Sequence, residues 1–255
     1  MRIDALLYKE GVFPSRSKAS QAVLDGLVSY KGQVVLKPST NVEDFSLVKV
    51  EDRSSFFVSN GGYKLEKAIK DFNLDVNGLV FADIGASNGG FTDCLLKNGA
   101  KKVFAVDVGE TQLDKTLIQN DKVIVKDNTN ARFITEETLG EKADGITVDV
   151  SFISLTYILQ GVKNVLKNGG FAVFLIKPQF ECGKEYLGNS GIVKSENARK
   201  LAVKKIYDAC LLQGLYAVDF TTAPIKEKKN VEYLILVKNN DNSKTLRFED
   251  FRWTL

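Results

Sequence analysis

The chain contains no histidine. Ser-His-Asp and Cys-His catalysis and most zinc chemistry are thereby excluded, and any proton transfer falls to Lys, Asp, Glu, Tyr or Cys. Two lysines sit where such work is feasible. Lys177 ends the strand-like run Phe171–Ile176 and precedes Pro178, which would stop the strand; Lys64 lies in Gly61-Gly62-Tyr63-Lys64-Leu65 at the start of a helix. A lysine becomes a base when burial or a neighbouring cation lowers its pKa. Two carboxylates accompany them. Asp149, in Asp149-Val150-Ser151-Phe152, follows a strand-like run, and Glu232 begins the last such run, in a position to orient a lysine. Taken singly, each lysine also reads as a solvated surface charge, and Glu232 as a charge guarding an edge strand.

A second constellation runs from Phe81 to Phe91 (FADIGASNGGF), closing a strand and opening a helix. Gly85, Gly89 and Gly90 let the backbone approach a ligand, and the helix N-terminus offers N–H groups around Ala86, Ser87 and Phe91. A dinucleotide enzyme prefers Gly-x-Gly-x-x-Gly. Here Asp83 precedes Gly85 by two positions, which suits the amino-acid part of S-adenosylmethionine better than a pyrophosphate. Asp107 ends the next strand, 22 residues after Gly85, where a carboxylate accepts hydrogen bonds from ribose hydroxyls. Asp127, after the third strand-like run, is placed to meet the adenine end. A glycine-rich turn with no ligand and an NAD-type site are the competing readings. Methyltransferases acting on amino nitrogens commonly carry Asp/Asn-Pro-Pro-Tyr/Phe at the position of Asp149. Both prolines are missing here, which points toward a hydroxyl acceptor, a poor nucleophile until a base removes its proton.

The elements that must hold these residues follow from periodicity. Strand-like runs at Leu79–Ile84, Lys102–Asp107, Lys122–Val125, Gly145–Val150, Phe171–Ile176, Tyr216–Thr221 and Val231–Val237 alternate with helix-like segments around 89–98, 111–119, 152–167 and 194–213. That pattern predicts a doubly wound α/β fold with a Rossmann-like seven-stranded sheet. No helix separates the last two runs, only Thr222–Asn230, so they are expected to pair antiparallel at the sheet edge. The first residues differ. Ile3, Leu6 and Leu7 form a helical stripe ended by Gly11; Ser15 is an N-cap for a second helix carrying Ala19, Ala22 and Val23 and stopped by Gly26. Val28 and Tyr30, a Lys31-Gly32 turn, then Val34 and Leu36 read as a hairpin. The expected division is a small α+β domain over 1–58, the sheet domain over 59–240, and a polar tail of unassigned role over 241–255.

At this point the motifs resemble a known family. Ser59-Asn60-Gly61-Gly62-Tyr63-Lys64-Leu65, the segment from Asp83 to Asp93, Asp149-Val150-Ser151-Phe152-Ile153-Ser154, Lys177-Pro178-Gln179-Phe180-Glu181 and Asn230-Val231-Glu232-Tyr233 are similar to the hemolysin-A-like (TlyA) family. These are ribosomal RNA methyltransferases built on the FtsJ/RrmJ-type fold. The resemblance implies S-adenosylmethionine as cofactor, the ribose 2′-hydroxyl of an rRNA cytidine as acceptor, and a Lys-Asp-Lys-Glu tetrad falling on Lys64, Asp149, Lys177 and Glu232. Lys177 would be the base, Asp149 and Glu232 would hold the lysines, and Lys64 would depress the pKa of the base or position the ribose. One departure is Asn88, where the family usually has Thr. The segments Arg2-Ile3-Asp4, Ser15-Arg16-Ser17-Lys18-Ala19, Gly26-Leu27-Val28 and Gly32-Gln33-Val34-Val35 resemble the S4-type RNA-binding domain. That implies phosphate contacts from Arg2, Arg16, Lys18, Lys31 and Lys37. A small solvated cap is the alternative. The start almost at Arg2 resembles the family's shorter branch, which implies the large ribosomal subunit as target.

Charge and composition agree with this picture without demanding it. Residues 1–40 carry six basic and three acidic side chains (Asp4, Glu10 and Asp25), an excess equal to the net +3 of the whole chain. No apolar signal region or membrane-length run is present, and Cys94, Cys182 and Cys210 lack metal-binding spacing. A cytoplasmic, metal-free monomer acting on ribosomal RNA or ribosomal subunits is the expectation. Three rival functions are a membrane-active hemolysin, a ribosome-binding factor without catalysis, and a small-molecule O-methyltransferase, which would leave the N-terminal domain without a purpose.

Overall fold

The computed structural model describes every residue except Pro14, Asp25, residues 51–56, Thr111, Asn189, residues 226–228 and residues 254–255. The charge of Asp25, the stretch 51–56 inside the expected first domain, 226–228 in the last connection and the end of the tail therefore lie outside the described residues. The chain divides into two compact units, Met1–Phe56 and Phe57–Leu255.

In the first unit, Ile3 and Leu7 stand one helical turn apart and bury the inner face of α1 (Ile3–Lys9). The α2 helix (Arg16–Leu24) starts at Ser15, whose hydroxyl accepts from the Lys18 N–H at 3.2 Å, and buries Ala19, Ala22 and Val23. Lys31 (φ 51°) and Gly32 (φ 78°) make the two-residue turn between β1 (Val28–Tyr30) and β2 (Gln33–Val34). Both central residues of that turn need positive φ to match the strand twist. The alternation expected to reach Leu36 stops at Val34, and Leu36 is exposed. A third strand, β3 (Val48–Val50), pairs antiparallel with the other edge of β1. Three residues are too few to register as a periodic pattern.

The second unit opens with α3 (Gly61–Asp71). It continues through β4 (Val80–Ile84), α4 (Gly90–Lys97), β5 (Lys102–Val106), α5 (Lys115–Ile118), β6 (Val123–Lys126), α6 (Glu136–Leu139) and β7 (Ala143–Val148). Then follow α7 (Leu159–Val165), β8 (Leu166–Ile176), α8 (Pro178–Glu181), α9 (Glu196–Leu212), β9 (Leu215–Thr222) and β10 (Tyr233–Asn239). The sheet has seven strands in the order β6-β5-β4-β7-β8-β10-β9. The first five are parallel, and β10 enters antiparallel between β8 and β9. Both faces are covered. Along β10, Tyr233, Ile235 and Val237 join the cluster containing Val203 and Ile206 of α9, while Leu234 and Leu236 join the one containing Leu65 of α3 and Leu95 of α4.

Two helices are shorter than their patterns suggest. In place of 111–119, α5 begins only at Lys115, because the Asp114 carboxylate accepts from the Thr116 N–H and caps it there. In place of 152–167, a short 3₁₀ turn (Leu155–Tyr157) precedes α7, and Leu166 is already extended because it pairs with Ala143 of β7. Within the tail, Phe251 is 4% exposed and its ring stacks on Phe220, with centroids 4.4 Å apart. The strand order reverses at β4, so the crevice of this sheet opens at the carboxyl ends of β4 and β7.

Candidate active site

Backbone bonds lace that crevice together. The Gly85 and Ala86 N–H groups both donate to the Val106 carbonyl, at 2.8 and 3.1 Å, and the Asp149 N–H donates to the Ile84 carbonyl at 3.0 Å. Gly85 has φ 83°, and a Cβ there would lie 2.5 Å from the Asp149 carbonyl oxygen. Only glycine lets the two strand ends approach this closely. At Gly90 a Cβ would collide with the Ser59 hydroxyl, so the first turn of α4 receives the segment that leads into α3. This brings Asn60, Gly61 and Lys64 to the same edge.

A cavity of about 370 Å³ opens here. Ile84, Val106, Val150, Ile153 and Ile158 give it apolar walls, and Gly85, Ser87 and Asp107 also line it. The Asp107 carboxylate accepts from the Ser87 N–H (2.9 Å) and the Gly109 N–H (3.2 Å), which leaves further lone pairs for a ligand. A second cavity of about 250 Å³ shares Gly85, Ser87, Asp149 and Ser151 with the first and adds Ala86, Gly90, Phe91, Lys64 and Lys177. Three of the residues expected around a cofactor stand elsewhere. Gly89, the N-cap of α4, packs on Leu113 and Leu117. Asp127 does not line the cavity, whose wall there is Thr129, Asn130, Ala131 and Arg132. Asp83 is fully buried and accepts from the hydroxyls of Thr92 (2.6 Å) and Thr147 (3.0 Å). Burial pushes its carboxyl up to about 7 against those two bonds, with the charge of Asp149 adding to the rise.

Four charged side chains from four separate elements converge at the second cavity and beside it. Lys177 Nζ lies 2.6 Å from Asp149 Oδ1 and donates to Ser151 Oγ at 2.9 Å. Lys64 Nζ lies 2.6 Å from Glu232 Oε2. Glu232 precedes β10 by one residue, in place of beginning the strand. Beyond Lys64 a third cavity, of about 310 Å³, is lined by Tyr63, Gln179, Asn230 and Glu232 among others. Next to Ser151, Phe152 holds a left-handed backbone (φ 63°) with its side chain 91% exposed and its ring 5.1 Å from that of Phe180. Sequence patterns singled out neither the Ser151 contact nor Phe152 nor the Thr129–Arg132 wall. Positive φ at a bulky residue is a strained state that no pattern of residue types announces.

In the first unit Arg2, Arg16, Lys18, Lys31 and Lys37 are all exposed. Arg2 and Arg16 each reach Asp4 at 3.0 Å, and Asp4 is 3% exposed. Burial raises the Asp4 carboxyl, but the bonds from the two guanidinium groups outweigh it and hold the carboxyl below its usual range. Lys31 lies over the Tyr30 ring, 5.2 Å from its centroid. Among the described residues no cluster of three His, Cys, Asp or Glu side chains suits a metal, and no helix is long and apolar enough to cross a membrane.

Residues 57–240 match the FtsJ-like methyltransferase family, and residues 1–48 match the S4 domain. Hemolysin A of Brachyspira hyodysenteriae is 40% identical, over 92% of this chain and 98% of its own. The 16S/23S rRNA (cytidine-2′-O)-methyltransferase TlyA of Mycobacterium tuberculosis (strain ATCC 25618 / H37Rv) is 36% identical, over 93% of this chain and 89% of its own. Among solved structures, a hemolysin-type chain from Streptococcus thermophilus superposes with a TM-score of 0.73 at 37% identity, covering 96% of this chain and 90% of that one.

Proposed function

Because the chain belongs to the FtsJ-like methyltransferases and carries an S4 domain at its N-terminus, we propose that it methylates the ribose 2′-hydroxyl of a cytidine in ribosomal RNA. The observation that carries this reading is the convergence of Lys177–Asp149 and Lys64–Glu232, each pair at 2.6 Å, on a glycine-lined crevice. The crevice fits S-adenosylmethionine. Its adenosine end matches the apolar 370 Å³ cavity with Asp107 at the ribose hydroxyls, and its amino-acid end matches Ser87, Gly90 and the start of α4. When bound, the cofactor supplies an electrophilic methyl group on a sulfonium and leaves as a neutral thioether.

The protein's part is to place the acceptor oxygen and take its proton. Lys177 takes the 2′-hydroxyl proton at Nζ, and Asp149 and Ser151 hold the ammonium that results. Lys64, steadied by Glu232, orients the ribose from the other side. The exposed ring of Phe152 offers a stacking face to a base. Arg2, Arg16, Lys18, Lys31 and Lys37 hold phosphates of the same RNA, and they carry no sequence information in doing so. An S4 domain over 1–58 and a methyltransferase domain over 59–240 divide the labour of docking and chemistry, and Phe248, Phe251 and Trp253 of the tail over 241–255 pack on the catalytic core. The protein acts as a metal-free monomer on ribosomal subunits in the cytoplasm.

The position of the transferred methyl tests this directly. A 2′-O-methyl group removes the nucleophile that cleaves the neighbouring phosphodiester in alkali. Subunits labelled with tritiated S-adenosylmethionine are therefore expected to yield their label in an alkali-resistant dinucleotide beginning with cytidine. Label released in mononucleotides would place the methyl on a base and overturn the reading.

A further inference from the structure

Glu181 belongs to none of the groups that line the crevice, yet its carboxylate is heavily engaged beside it. It closes the single turn of α8 that begins after Lys177, and its side chain is 2% exposed. Oε1 accepts from the Leu155 N–H at 2.8 Å, and Oε2 accepts from Ser154 Oγ at 2.5 Å. From α9, Lys205 Nζ reaches Glu181 Oε2 (3.1 Å), the Glu181 carbonyl (3.1 Å) and Ser154 Oγ (3.2 Å). Two segments are thus fastened to each other at both ends. The loop after β7 and the turn after β8 meet at Lys177, Asp149 and Ser151 on the reacting side, and again at Glu181, Ser154 and Leu155 on the buried side.

We propose that Glu181 is a positioning residue that sets the distance between Lys177 and Asp149–Ser151 by clamping Ser154 and Leu155. The reasoning is geometric and rests on the methyltransferase reading above. Lys177 and Glu181 sit at opposite ends of one short turn, and Asp149 and Leu155 at opposite ends of one loop. With the far ends fixed, rotation of either segment is confined, and the lysine amine is held to a narrow region. A flexible four-carbon side chain gains most from such a frame, because small displacements of a base cost large factors in rate. Lys205 compensates the buried charge, since an isolated carboxylate there would be costly.

Two readouts separate this role from a merely structural one. In the full-length protein, Glu181→Ala is expected to lower kcat for methyl transfer to ribosomal subunits at least tenfold. The KM for subunits and the calorimetric Kd for S-adenosylmethionine should stay within twofold. The double variant Glu181→Gln with Lys205→Met keeps an acceptor for Leu155 and a partner for Ser154 without charge, and should recover kcat to within about threefold of wild type. Independently of activity, hydrogen exchange in Glu181→Ala should quicken in both 149–157 and 177–182, while β4 and β5 keep wild-type protection. Unchanged exchange in those two segments, or a kcat equal to wild type, overturns the clamp. An inactive wild-type protein would count against the methyltransferase reading instead, with the exchange result still deciding the clamp.

Discussion

At the scale of single residues, the site is built from charges whose meaning depends on what they face. Lys64 and Lys177 carry no mark in their immediate neighbours that separates them from surface lysines. What made them legible was five ordered motifs taken together, and the fold brings each beside its own carboxylate. Asp83 is the opposite case. Its spacing from Gly85 reads as a ligand contact, but strand alternation carries the contrary signal: Ala82 and Ile84 point to one side of β4, so Asp83 points to the other, into the core. There it acts as a titrating core group. Its folded carboxyl sits near 7, against 3.8 in the unfolded chain, so between those values the folded state binds a proton that the unfolded state does not. Its contribution to stability is therefore complete below about pH 4 and is lost as pH rises toward 7. An Asp83→Asn variant cannot titrate and keeps partners for both threonines. Its Tm advantage over wild type should widen between pH 5 and pH 8; an offset equal at both pH values would contradict this assignment.

At the scale of elements, caps and close approaches set the boundaries. The Ser15 cap was legible because a hydroxyl before an apolar helical stripe has one dominant use, and its loss has a known size. Ser15→Ala should destabilise the first unit by about 1 kcal/mol, visible as faster exchange in α2 with the sheet unchanged. The early stop of α7 was not legible. It follows from the pairing of Leu166 with Ala143, a partner more than twenty residues away that no local pattern contains. Gly85 belongs to both categories. Its presence in the motif was plain, but its reason is the approach of the Asp149 carbonyl, which only the assembled sheet reveals. A Gly85→Ala substitution combines a left-handed backbone with a clash against main chain. It should cost about 1–3 kcal/mol by thermal unfolding and displace Asp149 from Lys177, lowering methyl transfer by more than the loss of folded protein accounts for.

At the scale of the whole molecule, strand–helix alternation foretold the doubly wound sheet and its antiparallel finish, because most of its strands and its longer helices show their period. The short pieces β3, α6 and α8, each of three or four residues, escaped, because none of them spans enough residues to show a period of its own. The aromatic packing of Phe248, Phe251 and Trp253 on the catalytic unit also escaped, since a few aromatics in a polar tail have no periodicity. The basic excess of residues 1–40 is an electrostatic property of this same scale, and it predicts a salt-dependent RNA affinity. Replacing Lys18, Lys31 and Lys37 together by Ala should flatten the slope of log K against log salt by about 2–3, whatever the RNA sequence, and leave the affinity for S-adenosylmethionine as it is. A slope identical to wild type would remove these lysines from the RNA contact.

The central claim is that Lys177 takes the proton of a ribose hydroxyl. It is tested most directly by single-turnover transfer from tritiated S-adenosylmethionine to purified ribosomal subunits, comparing wild type with Lys177→Ala. The rate in the variant should fall by about 10²–10⁴-fold, the range of a lost general base, with cofactor binding by calorimetry unchanged. Equal rates in the two proteins would contradict the account.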